Sequence, residues 1–441
     1  MARSEAFADP LTHVSPSSPG RVRLLQVEPT SRCNFTCGFC VGRHLDQSDL
    51  DLETFREALA QLPDLERLEM HGEGEPLMHP HFFEMARLAR ARGIRLSTIT
   101  NGSLFTPDCI EHLLDAGFET LFVSIESPRP EEFRHIRGGH LSKVVAGIRA
   151  LLARRAARQL VHPTVGFSVT VLQRTQGLMP EIARLYADLG MDGGISAHML
   201  NTMPSYTKYY SPAMSQETLS PIEQGLAWTR YANVLHSSEY QPSSAAVHFS
   251  DEVFGQNDPA KRTTAPRYRL AKQYRSCPWL DEGLYLNRHG QTSGCARIKD
   301  TAPFGFGDLR HDPLDTLLSR RAHMGNALRA GRTPAACAGC FVAEAIGNRI
   351  ARLSGKRPRL VRPTVSTTEW HEAMQEPVIG TIPYDETALL AISDVADGTR
   401  TTEEIIEALG RAWSCNETDT AIRVLPLLSE LVRMNAAILE S

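Results

Sequence analysis

Between residues 21 and 200 short β-rich runs alternate with amphipathic helical segments, and this alternation constrains the fold more than any other feature of the chain. The runs RVRLLQVEPT (Arg21–Thr30), LERLEMHG (Leu65–Gly72), IRLSTITNG (Ile94–Gly102), TLFVSIES (Thr120–Ser127), TVGFSVTVL (Thr164–Leu172) and GGISAHML (Gly193–Leu200) read as strands. Residues 51–62, 81–93, 107–117, 141–158 and 178–190 have the spacing of helices lying between them. Six β/α units in succession imply a parallel sheet with right-handed crossovers. A closed eight-unit barrel needs more chain than this, so the expected fold class is α/β, a curved and partial (β/α)6 barrel. In such sheets ligands gather at the carboxyl ends of the strands.

The remaining chain divides by composition. Residues 1–20 form a Pro/Ser/Gly arm, 21–200 the barrel, and 201–270 a Tyr- and turn-rich stretch that is either a substrate-covering insertion or a linker. Residues 271–350 make a second cysteine-bearing unit, 351–370 a basic, Pro-containing linker (RLSGKRPRLVRP, Arg352–Pro363), and 371–441 a small separate domain. With 441 residues, 42% of them hydrophobic, there is material for two or three buried cores. A formal charge of −4 argues against a nucleic-acid footprint over the whole surface, and the basic run Ala153–Arg158 reads as a solvated helix face. No segment reaches the length of a membrane-spanning helix and the N-terminus lacks the apolar stretch of a secretory signal, so no membrane partner and a cytoplasmic location are expected.

Seven of the nine cysteines fall in closely spaced sets, which in a reducing compartment points to metal ligation rather than disulfides. Cys33, Cys37 and Cys40 follow the first strand as C-x3-C-x2-C. Joined by His44 they would suit a structural zinc; alone they suit an iron-sulfur cube with one iron left open. A zinc knuckle normally staples a domain that lacks a core, whereas this loop leads into a large α/β domain. Cys277, Cys295, Cys337 and Cys340, a C-x17-C pair followed by C-x2-C, supply four thiolates for a second iron-sulfur cluster or for a zinc ribbon. Cys109 and Cys415 stand alone on helical stretches and read as small buried hydrophobes.

Phe39 precedes the last cysteine of the first set, and four short motifs follow in register with the strands. They are GEGEP (Gly72–Pro76), TNG (Thr100–Gly102), SIES (Ser124–Ser127) and IRGG (Ile136–Gly139). Together they resemble the radical S-adenosylmethionine (radical SAM) superfamily. Two departures stand out: Glu73 replaces the first glycine of the family's GGEP, and Glu126 replaces the aspartate of its S-x-D. The resemblance implies a 4Fe-4S cluster on Cys33, Cys37 and Cys40, with S-adenosylmethionine at the open iron. It further implies ligand contacts from Phe39, Gly74, Glu75, Pro76, Asn101, Ser124, Glu126 and Arg137, with Glu75 toward the amino group and Arg137 toward the carboxylate. Reductive cleavage would then give a 5'-deoxyadenosyl radical, with the protein aiming it at one C–H bond. A reducing partner such as flavodoxin or ferredoxin is implied.

The CPW opening at Cys277 and Gly290 five residues before Cys295 resemble the SPASM/Twitch extension of these enzymes. Only Cys415 lies downstream of Cys340, which implies one auxiliary 4Fe-4S cluster, fully ligated by Cys277, Cys295, Cys337 and Cys340. Residues 378–440 read as a strand-like pair, a helix from Glu386, a helix capped by Thr402, a third helix and a β-like tail. This pattern resembles the winged-helix RiPP recognition element, which binds the leader of a precursor peptide as an added strand. The resulting expectation is a peptide-modifying radical SAM enzyme. A dehydrogenase oxidising an alcohol of a small secondary metabolite is the alternative. Asp281, Glu282, Tyr206, Tyr209 and Tyr210 are acid/base candidates by neighbourhood alone.

Overall fold

The structure is a computed structural model describing residues 20–220, 223–224, 226–227, 276–299, 301–362, 365–374, 382 and 384–441. The six expected strands form: β1 (Leu24–Val27), β2 (Arg67–Met70), β3 (Arg95–Thr100), β4 (Thr120–Ser124), β5 (Thr164–Val171) and β6 (Ile195–Met199). They pair in sequence order and all in parallel. The connecting helices are α1 (Leu52–Gln61), α2 (Phe82–Ala91), α3 (Pro107–Ala116), α4 (Pro130–Arg137), α5 (Leu141–Ala157) and α6 (Met179–Asp188). The fold is thus an α/β partial barrel, as the alternation requires.

Local chemistry sets the helix ends. Asp51 caps α1 by accepting from the Thr54 amide at 2.9 Å. Thr106 caps α3, Pro107 occupies its first turn and Gly117 closes it at φ +72°. α4 escapes a reading by periodicity because PEEFRHIR buries only Phe133, Ile136 and Arg137. Its signals are Pro130 at the start and Gly138, in the left-handed region, just after the end. Leu25, Val27, Leu68, Met70, Leu121, Val123, Val165 and Phe167 are fully buried in the sheet, as are Phe55 and Phe118 outside it. Each such side chain contributes roughly 1.5–3 kcal/mol.

The sheet extends past β1 with three later strands, β7 (Gly283–Leu286), β8 (Gln291–Ser293) and β9 (Gly307–Asp308). β7 runs parallel to β1, Leu24 opposite Gly283, whereas β8 and β9 are antiparallel. Described residues between Val22 and Leu270 group with Gly283–Leu314 as one compact unit. Those within Ala271–Glu282 and Asp315–Ser441 group as a second.

In the second unit β10 (Arg357–Leu360) pairs antiparallel with β11 (Ala437–Glu440), so the segment expected as a linker contains a strand. Helices Thr402–Ala412 and Glu417–Arg433 pack with Glu386–Val395 around Ile392, Ile405, Val424 and Leu428. The cap of the middle helix is Thr401, not Thr402. Thr401 accepts from the Glu404 amide and the Glu404 carboxylate accepts from the Thr401 amide at 2.7 Å, a complete capping box. Thr402 is the first helical residue, and its hydroxyl donates to the Leu353 carbonyl at 2.7 Å. The strand-like pair expected near Val378 lies outside the described residues. Among those described, no helix is long and apolar enough to cross a membrane.

Candidate active site

The cysteine loop leaves β1 and settles on the end of α4. The amides of Thr36 and Gly38 donate to the carbonyls of Arg137 (2.9 Å) and Ile136 (3.2 Å), supplying partners that a helix terminus otherwise lacks. Gly138, at φ +75°, allows this approach, because a β-carbon there would stand 2.1 Å from Thr36 Oγ1. Within the loop the Cys40 amide donates to the Cys37 carbonyl (3.2 Å) and the Phe35 amide to Cys33 Sγ (3.4 Å).

Burial raises all three thiols: Cys33 upward, Cys37 to about 11 with Arg137 opposing the rise, and Cys40 well above its ordinary value. Such sulfurs become thiolates once a cationic iron centre supplies the charge. Among the described residues no three His, Cys, Asp or Glu side chains converge on one ion position. The three cysteines line a cavity of about 310 Å³. His44, the fourth ligand of the zinc alternative, stacks on Tyr209 with ring centroids 4.9 Å apart.

Glu75 joins two strand ends. Its Oε1 accepts from the Thr100 hydroxyl at 2.6 Å and its Oε2 from the Asn101 amide at 2.7 Å, while burial raises its pKa. Asn101 then donates to Asn34 at 2.8 Å, beside Cys33. Gly74 admits no side chain, since a β-carbon would lie 2.3 Å from the Thr30 carbonyl oxygen. Pro76 is buried at the start of a 3-10 turn, Pro76–Met78.

Glu126 and Arg137 form a buried ion pair. Burial opposes the Arg137 charge, but Glu126 and Cys37 outweigh it and hold the guanidinium pKa above its ordinary value. Arg137 Nη1 also points to Cys37 Sγ at 3.7 Å, and its guanidinium lies 5.8 Å from the Phe39 ring centre. The cavity is bordered by Phe39, Gly74, Glu75, Asn101, Ser124 and Arg137, with Glu126 behind Arg137.

Several cavity residues were not expected from the sequence. His71, just after β2, and His198, on β6, line it, and Arg297 reaches it from beyond Cys295. Tyr206 and Tyr210, which the sequence did offer as candidates by neighbourhood, line it as well. Lys299 Nζ lies 2.7 Å from Glu73 Oε1. Burial works against the ammonium, but neighbouring groups, Glu73 foremost, raise its pKa. Glu28, at the end of β1, accepts from Tyr285 (2.9 Å), from Arg288 (2.9 Å) and from the Glu73 amide (3.0 Å). Tyr285 and Arg288 stand more than 200 residues from Glu28, and Lys299 as far from Glu73, beyond the reach of any local periodicity.

The later cysteines divide between the units. Cys295 follows β8 in the first unit; Cys277, Cys337 and Cys340 belong to the second. The Cys340 amide donates to the Cys337 carbonyl at 3.0 Å, the same turn that Cys37 and Cys40 make. Asp281 pairs with Arg329 and accepts from Ser276.

Residues 27–185 match the family described as the radical SAM superfamily. The chain is 33% identical over 317 residues to the AdoMet-dependent heme synthase of Methanosarcina barkeri, covering 66% of this chain and 80% of that one. It is 30% identical over 190 residues to the tungsten-containing aldehyde ferredoxin oxidoreductase cofactor-modifying protein of Pyrococcus furiosus. That match covers 42% of this chain and 53% of the relative, about half its length. Among solved structures, SuiB of Streptococcus suis bound to its precursor peptide SuiA shares the fold at a TM-score of 0.52 and 13% identity. The likeness covers 68% of this chain and 65% of SuiB.

Proposed function

The chain belongs to the radical SAM superfamily, and from that premise we propose that it removes a hydrogen atom from a residue of a ribosomally made precursor peptide, leaving a crosslinked or oxidised side chain. Family membership implies S-adenosylmethionine and a 4Fe-4S cluster, and the donor set fits. Three sulfurs, a glycine-narrowed turn at Gly74 and a polar wall border one cavity at the strand ends. When bound, the reduced cluster and S-adenosylmethionine supply a 5'-deoxyadenosyl radical.

The chain's own residues hold and orient. Cys33, Cys37 and Cys40 ligate the cluster. The Gly74–Pro76 backbone, fixed by the bonds from Glu75 to Thr100 and Asn101, receives the amino end of S-adenosylmethionine. Arg137 and Ser124 would receive its carboxylate, with Glu126 holding Arg137 in place and Phe39 lining the same cavity. Cys277, Cys295, Cys337 and Cys340 would hold an auxiliary 4Fe-4S cluster, which would supply an electron acceptor for the substrate radical, and flavodoxin or ferredoxin would be the reducing partner. The second unit binds the peptide leader.

The observation carrying the peptide reading is the small α+β second unit, with its two-stranded sheet and three packed helices joined to a radical SAM barrel. The fold shared with SuiB supports it. The long match to the Methanosarcina heme synthase favours a second reading, a heme-type macrocycle as substrate.

The test incubates the anaerobically reconstituted full chain with S-adenosylmethionine, reductant and short peptides encoded in the source genome. Products are read by mass spectrometry. A peptide lighter by two hydrogens supports the first reading. Conversion of an iron-porphyrin precursor with no change to any peptide replaces it with the second.

A further inference from the structure

We propose that Lys299 is a positioning residue for the Cys33, Cys37 and Cys40 centre and that it acts through Glu73. Glu73 stands where the radical SAM resemblance calls for glycine, and it brings a carboxylate against the cysteine loop. Its Oε2 lies 3.7 Å and its carbonyl oxygen 3.5 Å from Cys40 Sγ. A cluster held by three thiolates makes this an unfavourable place for further negative charge, most of all where little water screens it.

The backbone that carries this carboxylate is held on two sides. On one side is Gly42, where even a β-carbon would come within 2.7 Å of Glu73 Cβ. On the other, the Glu73 amide is clasped by Glu28, itself held by Tyr285 and Arg288. Lys299 provides the compensating charge. Its Nζ sits 2.7 Å from Glu73 Oε1, with a side chain only 5% exposed, between the rings of Tyr206 (5.8 Å) and Tyr285 (5.2 Å). Tyr206 donates to the same carboxylate oxygen at 3.3 Å. Lys299 also lies four residues beyond Cys295, so the ion pair ties the GEGEP turn to the segment carrying that cysteine.

Charge compensation makes a prediction that simple packing does not. The full chain and its K299M, K299R and E73Q/K299M variants are reconstituted anaerobically. Iron content is measured, together with the electron paramagnetic resonance signal of the reduced protein before and after S-adenosylmethionine is added. K299M should lose the signal change caused by S-adenosylmethionine and hold less iron. K299R should retain the change, and E73Q/K299M, which removes both charges, should regain it. The proposal is overturned if K299M responds like the parent, or if E73Q/K299M stays as impaired as K299M. Should K299M alone fail to fold, the double variant decides.

Discussion

The Glu126 carboxylate and the Arg137 guanidinium lie against each other inside the first unit, Oε1 2.6 Å from Nη2, with side chains 1% and 8% exposed. The pair fixes the guanidinium beside Cys37 and Phe39. Removing one partner of such a pair leaves an uncompensated buried charge, at a cost of about 3–5 kcal/mol. Glu126→Ala should therefore lower the thermal midpoint and abolish formation of 5'-deoxyadenosine. Glu126→Asp, which keeps the charge, should retain activity within about tenfold, a difference of ~1.4 kcal/mol. Thermal melts and a chromatographic assay of 5'-deoxyadenosine check both.

Glu75→Gln keeps the shape but sets an NH2 group against a backbone donor, the Asn101 amide at one oxygen position or the Leu77 amide, beside the Thr100 hydroxyl, at the other. A buried donor left without an acceptor costs about 1–3 kcal/mol. The variant should bind S-adenosylmethionine at least several-fold more weakly while iron content stays near the parent's. Isothermal titration of the reconstituted protein reads the change.

Gly74→Ala places a methyl group where the carbonyls of Thr30 and Arg32 already stand, at 2.3 and 2.6 Å from the β-carbon position. Both are backbone atoms and cannot swing aside. The cysteine loop must shift, and iron per chain should fall. Gly93→Ala, whose β-carbon meets nothing within 4 Å but whose φ is +76°, serves as a control for backbone strain alone. Equal iron loss in the two variants would contradict the steric account.

Doubling the substitutions to Cys337→Ala and Cys340→Ala should remove about four iron atoms per chain. Cleavage of S-adenosylmethionine should persist while modified substrate disappears. Iron analysis and product detection on one sample separate these outcomes.

Glu69 is buried, and burial raises its carboxyl to about 7. The ordinary carboxyl titrates about 2.5 units lower, so between these values the folded chain holds a proton that the unfolded chain has released. Stability therefore declines as pH rises through that window. Glu69→Gln, which never ionises, should match the parent near pH 4 and exceed it near pH 8 by up to about 3 kcal/mol. Denaturant melts at the two values test the sign.

The alternation of strands and helices was legible because a parallel sheet needs both periodicities, and its strand ends brought Cys33, Glu75, Asn101 and Arg137 to one cavity. Helix α4 was not, being short and half charged. Glu126 and Arg137 were each read as ligand contacts, and only the fold reveals that they hold one another. Lys299 and Arg288 carry no local signal at all, since their partners Glu73 and Glu28 belong to strand ends formed far earlier in the chain. Thr402 was misread as a cap because two threonines stand side by side, and the one with Glu three residues ahead is Thr401.

The pairing of β7 with β1 has a consequence for how the protein is made. A ribosome releases the cysteine loop early, while the strand that flanks β1 and the residues that clasp Glu28 emerge only after about 250 further residues. At roughly 5–20 residues per second, that interval lasts roughly 12–50 seconds. Throughout it the first strand has an uncovered edge and the nascent cysteine loop is exposed to oxidants and stray metals. Iron loading is therefore expected to follow the pairing of β7 with β1, with the finished sheet as the vessel that receives it.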